Sequence, residues 1–153
     1  IVPNGIKTIS VHAFWNTKMK DIVIPTSVTT IGIEAFAGGN LLPDEKAFIY
    51  ARNGDGSEDT TTIVGYGGAR VNNVQIPNGV TTIKSRSFSY CHLRSVALPN
   101  SVTIIEDMAF MCNRILQGSF TIDNSEGNVT IGSEVFKNNG ASSNQYITPV
   151  YLR

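Results

Sequence analysis

The sequence predicts a mostly β solenoid: a coil of short parallel strands, with turns or 3₁₀ segments opposite them and one β-hairpin insertion. Three observations predict it. One phrase is written three times with little change, as IPTSVTTIGIEAF (Ile24–Phe36), IPNGVTTIKSRSF (Ile76–Phe88) and LPNSVTIIEDMAF (Leu98–Phe110). Counting looser copies, the pairs Ile9/Phe14, Ile31/Phe36, Ile83/Phe88, Ile105/Phe110 and Ile131/Phe136 recur, with isoleucines 22, 52, 22 and 26 residues apart. Self-similarity at a period of 20–30 residues marks stacked units. Third, an apolar-x-x-apolar-x-apolar pattern precedes the prolines, and its last three residues alternate as a half-buried strand does.

The elements follow in chain order within each unit. The strand pattern reads Met19, Ile22, Ile24, then Val71, Val74, Ile76, then Leu93, Val96, Leu98, and returns as Ile147, Val150, Leu152. The fifth copy keeps Phe120 and Ile122 and is irregular before them. Pro3, Pro25, Pro77 and Pro99 end the strands, because proline has no N–H to give to a ladder. Asp123 takes that place in the fifth copy, with a turn (NSEGN) two residues longer. A second apolar stretch follows (Val28 and Ile31; Val80 and Ile83), and phenylalanine closes the unit. One unit cannot bury these side chains alone; stacked units bury them as columns of Ile, Val and Phe.

The 52-residue interval holds an insertion of about residues 42–70. Two apolar runs, AFIYA and TTIVGY, flank a polar, glycine-bearing turn, which reads as a β-hairpin. Whether the second run is itself a rung strand, with Val64 and Tyr66 inward, stays open.

Pattern and words resemble the BspA-like leucine-rich repeats (LRR type 5) of bacterial surface proteins, whose unit reads roughly IP-x-x-V-T-x-I-G-x-x-A-F-x-x-C. The three phrases above, with Cys91, carry the likeness across nearly the whole chain. Lys84 and Glu106 replace the glycine, and Ser87 and Val135 the alanine. The resemblance implies a right-handed leucine-rich-repeat superhelix of about five or six rungs, with a hairpin between rungs. It also implies a non-enzymatic role in adhesion, or in binding host or extracellular-matrix proteins.

Composition narrows the partners. Twelve Lys and Arg balance twelve Asp and Glu, and charged residues are 16% of 153. Such a surface offers nucleic acid or anionic lipid no electrostatic attraction. No apolar run approaches the length of a membrane span. The opening IVPNGIKTI is already repeat sequence, so residues 1–153 are expected to be one domain, a monomeric piece of a longer extracellular or cell-surface chain.

Catalytic chemistry is not legible. Asn53-Gly-Asp55-Gly-Ser57-Glu-Asp59 begins like a calcium loop, but Glu58 stands where glycine is needed and Val64 where glutamate is, so a solvated hairpin tip is expected. Cys91 and Cys112 fall on neighbouring units one position out of register. Buried free thiols are expected, in keeping with the small buried residue usual at this position in the resembled family; a disulfide is the alternative. His12 and His92 read as rung-surface histidines. Trp15, the one tryptophan, reads as a cap on the first rung or on a preceding repeat. Asn128-Val-Thr130 matches a glycosylation sequon. No catalytic residue, cofactor or metal ligand is assigned.

A stacked coil exposes a broad strand-lined face, and the x positions of the strand pattern point there. They include Lys20, Asp21 and Val23; Asn72, Asn73 and Gln75; Arg94, Ser95 and Ala97; Thr121; and Thr148 and Tyr151. Lys20, Asn73, Gln75, Arg94, Thr121 and Tyr151 are the candidate contacts for a protein or glycan partner. Arg94 and Tyr151 lead, because Arg and Tyr are over-represented in binding hot spots.

Overall fold

The computed structural model describes residues 1–38, 41–68, 73–114, 120–123, 128–139 and 150–152, the strands at 120–123 and 150–152 by backbone alone. Strands dominate, and one helical turn, α1 (Asp44–Ala47), is the only helix among the described residues.

The Thr-Ile dipeptides build one ladder. β1 (Thr8–Ile9) pairs in parallel with β2 (Thr30–Ile31). Beyond the hairpin, β4 (Glu58–Tyr66), β6 (Thr82–Ile83), β8 (Ile104–Ile105) and β10 (Thr130–Ile131) stack in parallel, Ile63 on Ile83 on Ile105 on Ile131. The residues before the prolines build a second ladder: β5 (Asn73–Gln75), β7 (Ser95–Ala97), β9 (Phe120–Asp123) and β11 (Val150–Leu152). Two or three residues make no stable strand alone; the same phrase returning in the same direction supplies each with a partner.

β3 (Phe48–Arg52) pairs antiparallel with β4, with irregularities on either side of Tyr50. The insertion is therefore a hairpin, and its second run is also a rung strand, through Ile63. Tyr66 is buried as one reading held, whereas Val64 is only partly buried and packs on the cluster before the insertion. The tip is an Asx turn: the Asp55 carboxylate accepts the N–H and O–H of Ser57. Gly56, at φ 82°, is pressed against the second repeat, where an added Cβ would lie 1.6 Å from the Thr26 carbonyl oxygen.

Opposite the strands each repeat makes two consecutive turns, and no 3₁₀ segment occurs among the described residues. The third residue after each isoleucine has left-handed backbone: His12, Glu34, Arg86, Met108 and Glu134. So has the seventh: Asn16, Gly38, Tyr90, Cys112 and Asn138. These non-glycine conformations are disfavoured alone and persist because the turns bond to one another. His12, Phe14 and Asn16 donate N–H to the carbonyls of Ile33, Ala35 and Ala37. Arg86, Phe88 and Tyr90 donate to Asp107, Ala109 and Met111, and Met108, Phe110 and Cys112 to Ser133, Val135 and Lys137.

The core runs between the two faces. Phe14 stacks on Phe36 at 5.2 Å between centroids, and Phe88 on Phe110 at 5.0 Å and Phe110 on Phe136 at 5.9 Å. Tyr66 joins the column, stacked 5.3 Å from Phe88. Gly68 makes room for it, since a Cβ there would meet the Tyr66 hydroxyl at 2.4 Å. The core divides at the insertion into two clusters, one of the first two repeats with Ile49, the other of the remaining repeats with Ala47 and Ile63.

Three residues past the phenylalanine a polar column seals the core. Asn113 Nδ2 lies 2.8 and 2.9 Å from the carbonyls of Phe88 and Phe110, and its Oδ1 accepts the Leu93 N–H. Asn139 donates to Phe110. Cys91 holds the same position one repeat earlier, its thiol directed at the Ser89 and Tyr66 carbonyls. Both cysteines are free thiols.

Candidate recognition surfaces

Of the predicted contacts, Asn73 and Gln75 lie on β5, Arg94 immediately precedes β7, and Lys20 lies outside any strand. Lys20, Asn73, Gln75 and Arg94 are exposed. Asn73 stands opposite Ser95, whose hydroxyl donates to its Oδ1, and Gln75 stands opposite Ala97. Ala97 in turn faces Thr121 across β7 and β9. β11 pairs so that Val150 meets Thr121 and Tyr151 meets Ile122, one position from the alignment expected from the sequence. The side chains of Thr121 and Tyr151, and all of Asn72 and Thr148, lie outside the described residues.

The insertion interrupts this face. α1 and the start of β3 contribute to two clefts. One, of about 290 Å³, is lined by Ile22, Val23, Ile24, Lys46, Phe48, Tyr50 and Arg52. The other, of about 240 Å³, is lined by Asp44, Phe48, Tyr66, Asn73 and Gln75. Lys46 bonds to Asp21, and that contact holds the Asp21 carboxyl below its usual range. Lys20 is thus separated from Asn73, Gln75 and Arg94 by the hairpin's base.

The two family glycines replaced by charged residues form a pair. Lys84 Nζ lies 2.5 Å from Glu106 Oε1, and Glu106 Oε2 accepts the Ser85 N–H. Burial presses the Glu106 carboxyl upward, but the bonds from Lys84 and Ser85 outweigh it and leave it below the usual value. Cys91 is the reverse case: burial drives its thiol well above the ordinary range, so it stays protonated and inert.

The turn face holds a cluster that the sequence reading did not find. Because the hairpin enters the ladder on the strand side, the turns of the second repeat meet those of the repeat after the insertion. Glu34, buried at 6% exposure, receives the Ser89 hydroxyl at 2.8 Å on Oε1 and lies 2.8 Å from His12 Nε2 on Oε2. Arg86 approaches the same carboxylate at 3.7 Å. Trp15 faces Tyr90 of a later repeat: the two rings meet edge-on at 5.0 Å, and His12 packs edge-on against Trp15. Together His12, Trp15, Glu34, Arg86 and Tyr90 line an open cavity of about 430 Å³. The signal available in the sequence was positional. Glu34 and Arg86 hold equivalent places in their repeats, and the spacing showed an insertion between them, but not that their turns would meet across it.

Among the described residues, no group of three or more His, Cys, Asp or Glu is placed to hold a metal ion. Among them, too, no helix is long and apolar enough to cross a membrane.

No curated protein matches the chain. The chain is similar to a solved leucine-rich cell surface protein from Faecalibacterium prausnitzii A2-165, with 25% identity and a TM-score of 0.42. The match covers 84% of this chain and 39% of that protein. A family profile, the BspA-type leucine-rich repeat region, matches six copies over residues 1–43 and 66–150, leaving out the hairpin. With that share of its length matched, and its isoleucine and phenylalanine columns spaced by the same unit, the chain belongs to the BspA-type leucine-rich repeat family.

Proposed function

We propose that the chain is a non-enzymatic recognition module of a surface or extracellular protein. It is read as a stretch of right-handed leucine-rich-repeat solenoid that binds a protein partner, host or matrix, along its strand face. The supporting observation is the parallel ladder β5-β7-β9, which holds Asn73, Gln75 and Arg94 exposed over a buried core. Such a face makes many shallow contacts rather than enclosing a ligand, and its mix of amide, hydroxyl and guanidinium groups suits a protein surface. The test is immobilised-protein binding, against a panel of matrix proteins, with wild type and Arg94→Glu. A tenfold or greater loss with an unchanged circular-dichroism spectrum supports the reading; equal binding to every member refutes a role for this face.

A second reading is a structural spacer. It is favoured by the hairpin base, which occupies part of the strand face and is tied down there by Lys46 and Asp21. A spacer predicts no partner in the same panel.

A further inference from the structure

The cavity on the turn face has a composition that a solvated turn does not need. Two aromatic side chains form one wall: Trp15, half-buried, and Tyr90, 38% exposed. The floor is the carboxylate of Glu34, an ionisable group almost never buried unless it is paired. A carboxylate accepts, so His12 Nε2 at 2.8 Å carries a proton, and the other ring nitrogen, Nδ1, is left for a different partner. Ser89 supplies the other oxygen's bond, and Arg86, its side chain 40% exposed, keeps donors free for solvent. Glu34 thus holds two hydrogen-bonding side chains, Arg86 and His12, beside an aromatic wall.

We propose that this seam is a carbohydrate site, in which one pyranose ring of a neutral glycan lies against the Trp15–Tyr90 wall. The polarised C–H groups of a sugar face suit the negative face of an aromatic ring. The ring hydroxyls are both donors and acceptors, and meet Arg86 and His12. A volume of about 430 Å³ is within the range of small-ligand pockets, and its openness to solvent suits one residue of a longer chain. The charges of Glu34 and Arg86 cancel, which disfavours phosphate or sulfate. Binding, not cleavage, is implied: Glu34 is the only carboxylate among the lining residues, and glycoside hydrolysis ordinarily uses two. Glu34 is a positioning residue that acts through His12 and Arg86. The site shares no residue with the strand face, so it stands or falls separately from that reading.

Trp15 is the one tryptophan in the chain, so intrinsic fluorescence reports on the site without a label. Methyl glycosides of glucose, galactose, mannose and N-acetylglucosamine are titrated into the intact chain, with sodium acetate as the anion control. The expected result is a saturable change with at least one glycoside. Its Kd rises tenfold or more in Tyr90→Asn, a residue that tolerates the left-handed backbone there, and in Arg86→Asn; it is unchanged in Arg94→Glu. Circular dichroism confirms that each variant is folded. No saturable response to any of the four, a response that survives both substitutions, or an equal response to acetate each overturns the proposal.

Discussion

Replacing Asn113 by alanine tests how the stack is sealed. The side chain is 4% exposed and touches four backbone groups. Two of them have other partners: the Phe110 carbonyl also accepts from Asn139, and the Met111 carbonyl from the Tyr90 N–H. The Phe88 carbonyl and the Leu93 N–H have no alternative among the described residues. Each buried group left without a partner costs about 1–3 kcal/mol, so the two together cost about 2–6 kcal/mol. For a chain this size that is a large fraction of the total, on the order of 8–20 kcal/mol. Asn113→Cys places there the thiol that Cys91 uses one repeat earlier; it returns a donor to the Phe88 carbonyl and costs about 1 kcal/mol less than alanine. The assay is urea unfolding followed by circular dichroism and by fluorescence, with m-values compared to confirm that the unfolding reaction is the same. A loss below about 1 kcal/mol for Asn113→Ala, with m unchanged, shows that the asparagine column does not hold the core closed.

Other outcomes follow from single contacts. Ser87 is buried with its hydroxyl unpartnered, where neighbouring repeats carry Ala35 and Ala109; Ser87→Ala is expected to stabilise by about 1 kcal/mol and raise Tm by about 2–4 °C in a thermal scan. Iodoacetamide at about pH 8 is expected to label half-buried Cys112 in the native protein and Cys91 only after denaturation, read by mass spectrometry of the two peptides. The lowered carboxyl of Glu106 contributes stability above the ordinary glutamate value, about 4.3, and that contribution disappears as pH falls through its lower folded value. Wild type is therefore expected to exceed Glu106→Gln in stability near neutrality and to converge with it in acid, as followed by urea midpoints across pH. A constant difference refutes the linkage.

Much of the fold was legible because a repeat writes its own packing. Ile31, Ile83 and Ile105 and their phenylalanines recur since each must lie on the next, and a period needs no knowledge of distant contacts. The hairpin was legible from its two β-rich runs, while its second role as a rung strand was raised and left open. Ile63 and Tyr66 do the work of the repeat's isoleucine and phenylalanine at a spacing of three instead of five, so no template finds them. The polar column was hidden by chemistry: Cys91, Asn113 and Asn139 share a position and a task but no residue type. Cys91 and Cys112 were correctly read as free thiols, but the partners of Cys91, the Tyr66 and Ser89 carbonyls, were not. The strand-face candidates followed from alternation alone, which is local. The turn-face cavity did not, because Trp15, Glu34 and Tyr90 come together only where the insertion lets separated repeats touch.

The turn-to-turn bonds have an electrical consequence. Between the first and second repeats, and between each of the last three, the three amides that cross the turn face point the same way, from the earlier repeat to the later. Peptide dipoles laid head to tail add, as they do along a helix. The turn face therefore has a local polarity, opposed on the strand side, where the amides of Gly32, Glu106 and Gly132 donate back to the carbonyls of Ile9, Ile83 and Ile105. A repeat joined in reverse would set N–H against N–H, so the row can lengthen in one orientation only.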